Sequence, residues 1–198
     1  MRERAIPYIQ SISSSWRGNE RFAFWIVKKL KPKIIVDLGL NMGLSAISFA
    51  YGNKGGHTFG IDWLPTENFS QKRAEMESAF HNILNAIRLK CVKNLHLIIG
   101  PVPEISKKWN KEIDLLHIDG IYNYEDIKMH YAHWKPFLKK DAVILIHEIA
   151  AHPNEIGRFF DELPFYKTHL PYGNGLGIAT PNADLYQEID QGKLRRLF

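Results

Sequence analysis

The sequence predicts an α/β protein on a doubly wound, mostly parallel sheet, and three observations carry that prediction. Lys33-Ile-Ile-Val-Asp-Leu-Gly-Leu-Asn-Met-Gly43 is an apolar run that ends in an acid and meets glycines at once. A buried parallel strand entering a tight turn reads this way. Thr58-Phe-Gly-Ile-Asp62 is a second apolar run closed by an acid, 25 residues after Asp37. Downstream, runs of strand length alternate with segments of helical periodicity, the signature of successive βα units.

The elements follow in order. Phe22, Ile26, Val27 and Leu30 lie at helical spacing and predict a helix over about 20–31. Strand one (33–37) leads into a helix through Ala46, Phe49 and Ala50, ended by Gly52-Asn-Lys-Gly-Gly56. Strand two closes at Asp62, and Met76, Ala79, Phe80, Ile83 and Ile87 mark one face of a helix over 70–90. Strand three is Leu95–Ile99, followed by a short helix from Val102. Strand four is Ile113–Ile118, with a helix over 124–138; strand five is Ala142–Ile146, with a helix over 154–163. Two last runs, 166–170 and 176–180, are joined by Pro171-Tyr-Gly-Asn-Gly175, a connection short enough to make them antiparallel. The domain is expected over 20–182, with an N-terminal extension (1–19) carrying exposed aromatics Tyr8 and Trp16, and a tail (183–198).

Composition sets the outer limits. The 198 residues suffice for one core and a six- or seven-stranded sheet. A formal charge of +5 with dispersed lysines fits solvated helix faces better than a nucleic-acid groove. A single cysteine, Cys91, excludes an intramolecular disulfide and suits a reducing compartment. Met1-Arg-Glu-Arg-Ala leads into no apolar core and no run is of bilayer length, so a cytoplasmic protein without a membrane span is expected.

In an open α/β sheet, ligands sit outside the carboxyl ends of the strands, and an acid ending strand two commonly takes ribose hydroxyls. The loop Asp37-Leu-Gly39-x-x-x-Gly43 is not the G-x-G-x-x-G of dinucleotide sites, because Leu40 and Asn41 stand where that loop thins to admit a pyrophosphate. A nucleoside cofactor without a pyrophosphate fits better. D-x-G-x-x-x-G-x-S, with Ser45 after the second glycine, resembles motif I of class I S-adenosylmethionine (SAM) methyltransferases, and the terminal hairpin is typical of that fold.

The ends of strands four and five carry further chemistry. His117-Ile-Asp119-Gly-Ile-Tyr122 and Leu145-Ile-His147-Glu148 bring Asp119 and Glu148 to one rim if the strands are adjacent. Two oxygen donors beside an imidazole could hold a hard divalent cation; alternatively Asp119 caps its turn and His147 only packs.

Together with Trp134-Lys-Pro-Phe-Leu-Lys and Pro171-Tyr-Gly-Asn-Gly-Leu-Gly-Ile, these segments resemble the branch of class I O-methyltransferases that includes relatives of macrocin O-methyltransferase and cephalosporin hydroxylase. The resemblance covers about residues 20–180. It implies that Gly39, Gly43 and Ser45 approach the methionine part of SAM, with Asp37 and Asn41 in the same loop. It further implies that Asp62 takes the ribose, that Trp63 covers the adenine, and that Asp119 and Glu148, with His147, are candidate Mg²⁺ ligands. O-methylation of a small hydroxylated acceptor, sugar-like or natural-product-like, is the implied reaction, with Asp119, Tyr122 and His147 as catalytic candidates.

Three departures from the family pattern stand out. Tyr122 replaces the usual histidine, and an ordinary phenol with a pKa near 10 is a poor base at neutral pH unless a metal or cation lowers it. His130 takes the place of an acidic residue in the following helix, and Glu148 replaces the common aspartate, adding a methylene that loosens any metal geometry; the loop Gly100-Pro-Val-Pro-Glu104 also lacks the frequent acid near the adenine. His152 is a further base candidate, or simply a loop residue before a helix. Tyr8, Trp16, Tyr172 and Asn174 could line a substrate mouth, or equally form core or homo-oligomer contacts, and Lys193-Leu-Arg-Arg-Leu-Phe198 could dock on a partner subunit. Two other readings stay open: a SAM-binding protein without catalysis, and a nucleic-acid methyltransferase. The second lacks an N/D-P-P-Y/F motif.

Overall fold

The computed structural model describes residues 2–63 and 70–190, with side chains from 5 and from 73 in the two segments. The elements are α1 (Arg2–Ser11), α2 (Glu20–Leu30), β1 (Ile34–Leu38), α3 (Leu44–Gly52), β2 (His57–Asp62), α4 (Ser70–Arg88), β3 (Leu95–Ile99), α5 (Val102–Lys107), β4 (Ile113–Ile118), α6 (Tyr124–Trp134), β5 (Leu138–His147), α7 (Arg158–Glu162), β6 (Tyr166–Leu170), β7 (Leu176–Thr180) and α8 (Ala183–Glu188). Seven strands form one sheet in the order β3-β2-β1-β4-β5-β7-β6. The first five are parallel, and β7 pairs antiparallel with both β5 and β6. The chain winds outward in both directions from the β1/β4 pair, so the point where strand order reverses lies between their carboxyl ends. Ligand crevices open at such points.

Alternation along the central strands builds a core on each face. Leu115, Val143 and Leu145 pack with Phe22, Ile26, Ile47 and Phe49, whereas Leu116, Ile144 and Ile146 pack with Ile127, Trp134, Phe159 and Phe160. α2 ends at Lys31, which takes a left-handed φ of 48° before Pro32.

The structure corrects several expectations. Helix 124–138 stops at Trp134, because Pro136 cannot continue it; a 3₁₀ turn over Lys135–Phe137 follows and β5 begins at Leu138 rather than Ala142. The segment over 154–163 opens as a wide turn at Pro153–Gly157 before α7. On α4, Ala86 takes the buried position and Ile87 is exposed. Trp16 is not exposed: with Ile9 and Ile12 it belongs to the core, 1% exposed, its ring edge against Phe49. Tyr8 is half-buried and donates its hydroxyl to the Asn82 carbonyl at 2.8 Å. At the other end α8 packs through buried Leu185, and residues 191–198, including the Lys193–Phe198 tail, lie outside the described residues. No helix among the described residues is long and apolar enough to cross a membrane.

Candidate active site

The loop from β1 to α3 is held at three left-handed positions, Gly39 (φ 86°), Asn41 (φ 44°) and Gly43 (φ 80°). Gly39 is needed for space as well as conformation, since a Cβ there would stand 2.2 Å from the Asp119 carbonyl oxygen. The Asp119 amide donates to Leu38 at 2.8 Å, and the Leu40 amide donates to Asp62 Oδ2 at 2.9 Å. The loop is thereby pinned to the ends of β4 and β2. A cavity of about 520 Å³ opens there, its walls including Gly39, Asn41, Asp62, Trp63, Asp119 and Tyr122.

Five of the predicted residues therefore line one cavity with Asp119: Gly39, Asn41, Asp62, Trp63 and Tyr122. Asp37 and Ser45 do not. Asp37 is fully buried, accepting from the Ser45 hydroxyl at 2.7 Å on Oδ2 and from His117 Nδ1 at 2.6 Å on Oδ1. These bonds satisfy the carboxylate inside the protein and turn it away from a ligand. Gly43 serves the backbone turn and packs near Ile83. The His117 pair had no role assigned from sequence, although Asp37 and His117 face each other in the β1–β4 register. His117 Nε2 accepts the Trp16 indole N–H at 3.2 Å. An indole can only donate, so the proton on His117 must sit on Nδ1.

A second imidazole–carboxylate pair forms at the rim. His147 Nδ1 lies 3.0 Å from Asp119 Oδ1, and Nε2 donates to the Gly173 carbonyl of the β6–β7 turn. Burial alone would raise the Asp119 carboxyl, but the hydrogen bond and charge of His147 and the Gly120 amide outweigh it and hold Asp119 below its ordinary value. Burial works against the His147 charge, yet Asp119, the Gly173 carbonyl and Glu148 raise it above the usual imidazole range. The pair is an imidazolium and a carboxylate, both buried.

Glu148 follows with φ 66°, unusual for a residue with a side chain and costing on the order of 1–3 kcal/mol. It is buried, and its Oε2 lies 3.4 Å from His152 Nε2. The Tyr122 ring sits 5.3 Å from the His152 ring. Burial first, and then the carboxylates Glu148, Asp119, Glu75 and Asp62, push the Tyr122 hydroxyl up to about 12. With its hydroxyl held there, Tyr122 is a phenol at neutral pH, placed to donate a hydrogen bond.

Ligand atoms of Asp119, His147 and Glu148 lie within 4.8 Å of one another. The two carboxylates suit a hard divalent cation such as Mg²⁺. His147, donating from both nitrogens, has no lone pair to give a metal in this arrangement; it orients Asp119 instead. Of the proposed mouth residues, Trp16 is sealed in the core. Tyr172, half exposed, lies with Ile6, Gln10 and Arg17 on a separate depression, and Asn174 (φ 64°) forms the hairpin turn.

A family model described as a methyltransferase domain matches residues 36–149. An uncharacterized protein, y4gI, of Sinorhizobium fredii is 29% identical over 182 residues; the match takes in 87% of this chain, which spans about 20% of the length of that relative. A methyltransferase from Geobacter sulfurreducens superposes with a TM-score of 0.64 at 20% identity, covering 91% of this chain and 85% of the other. The O-methyltransferase TomG of Streptomyces achromogenes, involved in tomaymycin synthesis and solved with SAM, gives a TM-score of 0.65 at 15% identity over 89% of both chains. With the sheet order, the terminal antiparallel pair and the matched model in agreement, the chain belongs to the methyltransferase domain family and carries the class I SAM-dependent methyltransferase fold.

Proposed function

We propose that the protein is a SAM-dependent O-methyltransferase acting on a small hydroxylated acceptor. The observation that carries this reading is the cavity at the β1/β4 switch point, which joins the Gly39–Asn41 loop and Asp62 to the acidic rim at Asp119. Asp62 takes the ribose hydroxyls, Gly39 and Asn41 bring backbone to the methionine part, and Trp63 covers one face. Asp37, Gly43 and Ser45 act beneath the loop by holding its shape.

Methyl transfer needs alignment more than activation, because the sulfonium is already a good leaving group. An acceptor hydroxyl oxygen attacks the methyl carbon, the carbon–sulfur bond breaks with its electrons going to sulfur, and the hydroxyl proton leaves. His152 receives that proton, since it is a half-exposed imidazole set against the Glu148 carboxylate. Tyr122, protonated, donates a hydrogen bond that orients the acceptor, and the His147 imidazolium fixes the Asp119 carboxylate. Mg²⁺ held by Asp119 and Glu148 would supply Lewis-acid polarisation of the acceptor oxygen. The acceptor class is supported by TomG, which is described as an O-methyltransferase in a biosynthetic route. We place the reaction in the cytoplasm, consistent with a single free cysteine, Cys91.

Calorimetric titration with SAM and S-adenosylhomocysteine, with Mg²⁺ and after chelation, tests the reading. Binding that strengthens with Mg²⁺, followed by transfer of labelled methyl to hydroxylated acceptors, is the expected result. Binding without metal dependence would remove the cation. No binding of either nucleoside would overturn the cofactor, and transfer only to amines would overturn O-methylation.

A further inference from the structure

The cavity continues past Asp62 to a wall that the proposed reaction does not use. Val102 at the start of α5, Ile121, and Asp126 and His130 on α6 also line it. Asp126 and His130 are four residues apart, one helical turn, and so share a face of α6. Given the reading above, the methionine part occupies the Gly39 loop, the ribose sits on Asp62 and the methyl faces Asp119. The base is then left to this wall, with Trp63, Glu75 and Asn123 also on the lining. Val102 and Ile121 offer it apolar contact, and two polar side chains stand beside them.

The hydrogen-bonding state of those side chains is readable. His130 Nδ1 is buried with no hydrogen-bond partner among the described residues. An unpaired N–H buried there would cost more than an unpaired lone pair, so the proton belongs on Nε2, the nitrogen a ligand can reach. Burial first, opposed by Asp126 and reinforced by His133, holds His130 below the usual imidazole range, which keeps it neutral. Asp126 accepts from Asn123 Nδ2 at 2.6 Å with one oxygen, Oδ2, and its backbone N–H takes the Asn123 cap, leaving Oδ1 as an acceptor. The wall thus presents an acceptor and a donor one turn apart. Adenine presents a donor at its amino group and an acceptor at the adjacent ring nitrogen. The match is complementary.

We propose that Asp126 and His130 read the adenine edge of the cofactor from α6. The Asp126 carboxylate accepts from the adenine amino group, and His130 Nε2–H donates to a ring nitrogen. The inference rests on the cofactor reading above, and its test separates the two.

Binding of S-adenosylhomocysteine and of S-inosylhomocysteine is measured by calorimetry for the parent protein, Asp126→Asn, His130→Ala and His130→Gln. Inosine replaces the amino donor by a carbonyl acceptor and the ring acceptor by an N–H, reversing the pattern. The parent should bind the adenosyl ligand at least about tenfold more tightly, as a site built to pair a polar edge rejects its mismatch. Asp126→Asn and His130→Ala should lose most of that ratio at unchanged melting temperature, and His130→Gln, which restores a donor, should recover part of it. An adenosyl-to-inosyl ratio equal to the parent's in Asp126→Asn and His130→Ala overturns the inference. So does a parent that binds both ligands equally, while leaving the cofactor reading intact. A parent that binds neither ligand overturns both.

Discussion

Two imidazole–carboxylate pairs lie side by side, their rings 6.5 Å apart, and they do different things. In the interior pair, His117 Nδ1 reaches Asp37 and Nε2 faces the Trp16 indole N–H. In the rim pair, His147 Nδ1 reaches Asp119 and Nε2 faces the Gly173 carbonyl. The carboxylate contacts are alike; the far partner differs. A donor at Nε2 makes His117 neutral and completes a closed chain from Trp16 to Ser45. An acceptor at Nε2 makes His147 a donor on both sides and leaves it cationic beside an acidic cavity. The partner on the far nitrogen decides whether such a pair is a strut or part of a site.

Perturbing each pair should therefore read out differently. His147→Ala should lower methyl-transfer turnover by about 10²- to 10³-fold, as loss of a fixed electrostatic group does, with a smaller effect on urea stability. An equal loss of turnover in His117→Ala at full stability would erase the contrast. That interior variant leaves the Asp37 carboxylate and the Trp16 N–H short of a partner, and should cost about 3 kcal/mol of unfolding free energy.

The pH dependence of stability has a sign that follows from the rim pair. Asp119, with a depressed folded value, contributes stability present above its unfolded value and lost as pH falls through the folded one. His147, with a raised folded value, contributes stability present below about pH 6.5 and lost as pH rises through its folded value. Urea titrations of His147→Gln at pH 6 and 9 should show a shallower alkaline decline than the parent; an identical decline would assign it elsewhere.

Smaller effects bound the comparison. Tyr122→Phe should reduce turnover by no more than about tenfold and leave the pH–rate profile in place, because the hydroxyl stays protonated up to about 12. A profile shifted in that variant would restore tyrosine as the base. Trp16→Phe keeps an aromatic ring in the core but removes the donor to His117, and about 1 kcal/mol of stability should go with it.

Periodicity and glycine placement in the sequence determined the order of strands and helices, the parallel core, the terminal antiparallel pair and the rim position of Asp62, Asp119 and Glu148. These are properties of single segments, set by side-chain alternation and turn geometry. The same information misplaced Trp16, whose aromatic ring among serines at Ser13–Ser15 looked like surface until α1 and α2 covered it. Tyr122 was readable as a residue in a catalytic position, yet the carboxylates that push its hydroxyl up arrive from β2, β4, β5 and α4. Asp37 belonged to the loop motif that resembles a cofactor site, and the structure shows its carboxylate bonded to Ser45 and His117 beneath that loop. Tautomer, charge and cavity wall depend on which group stands at the far side of each polar atom. That partner comes from distant sequence, so only the tertiary structure decided it.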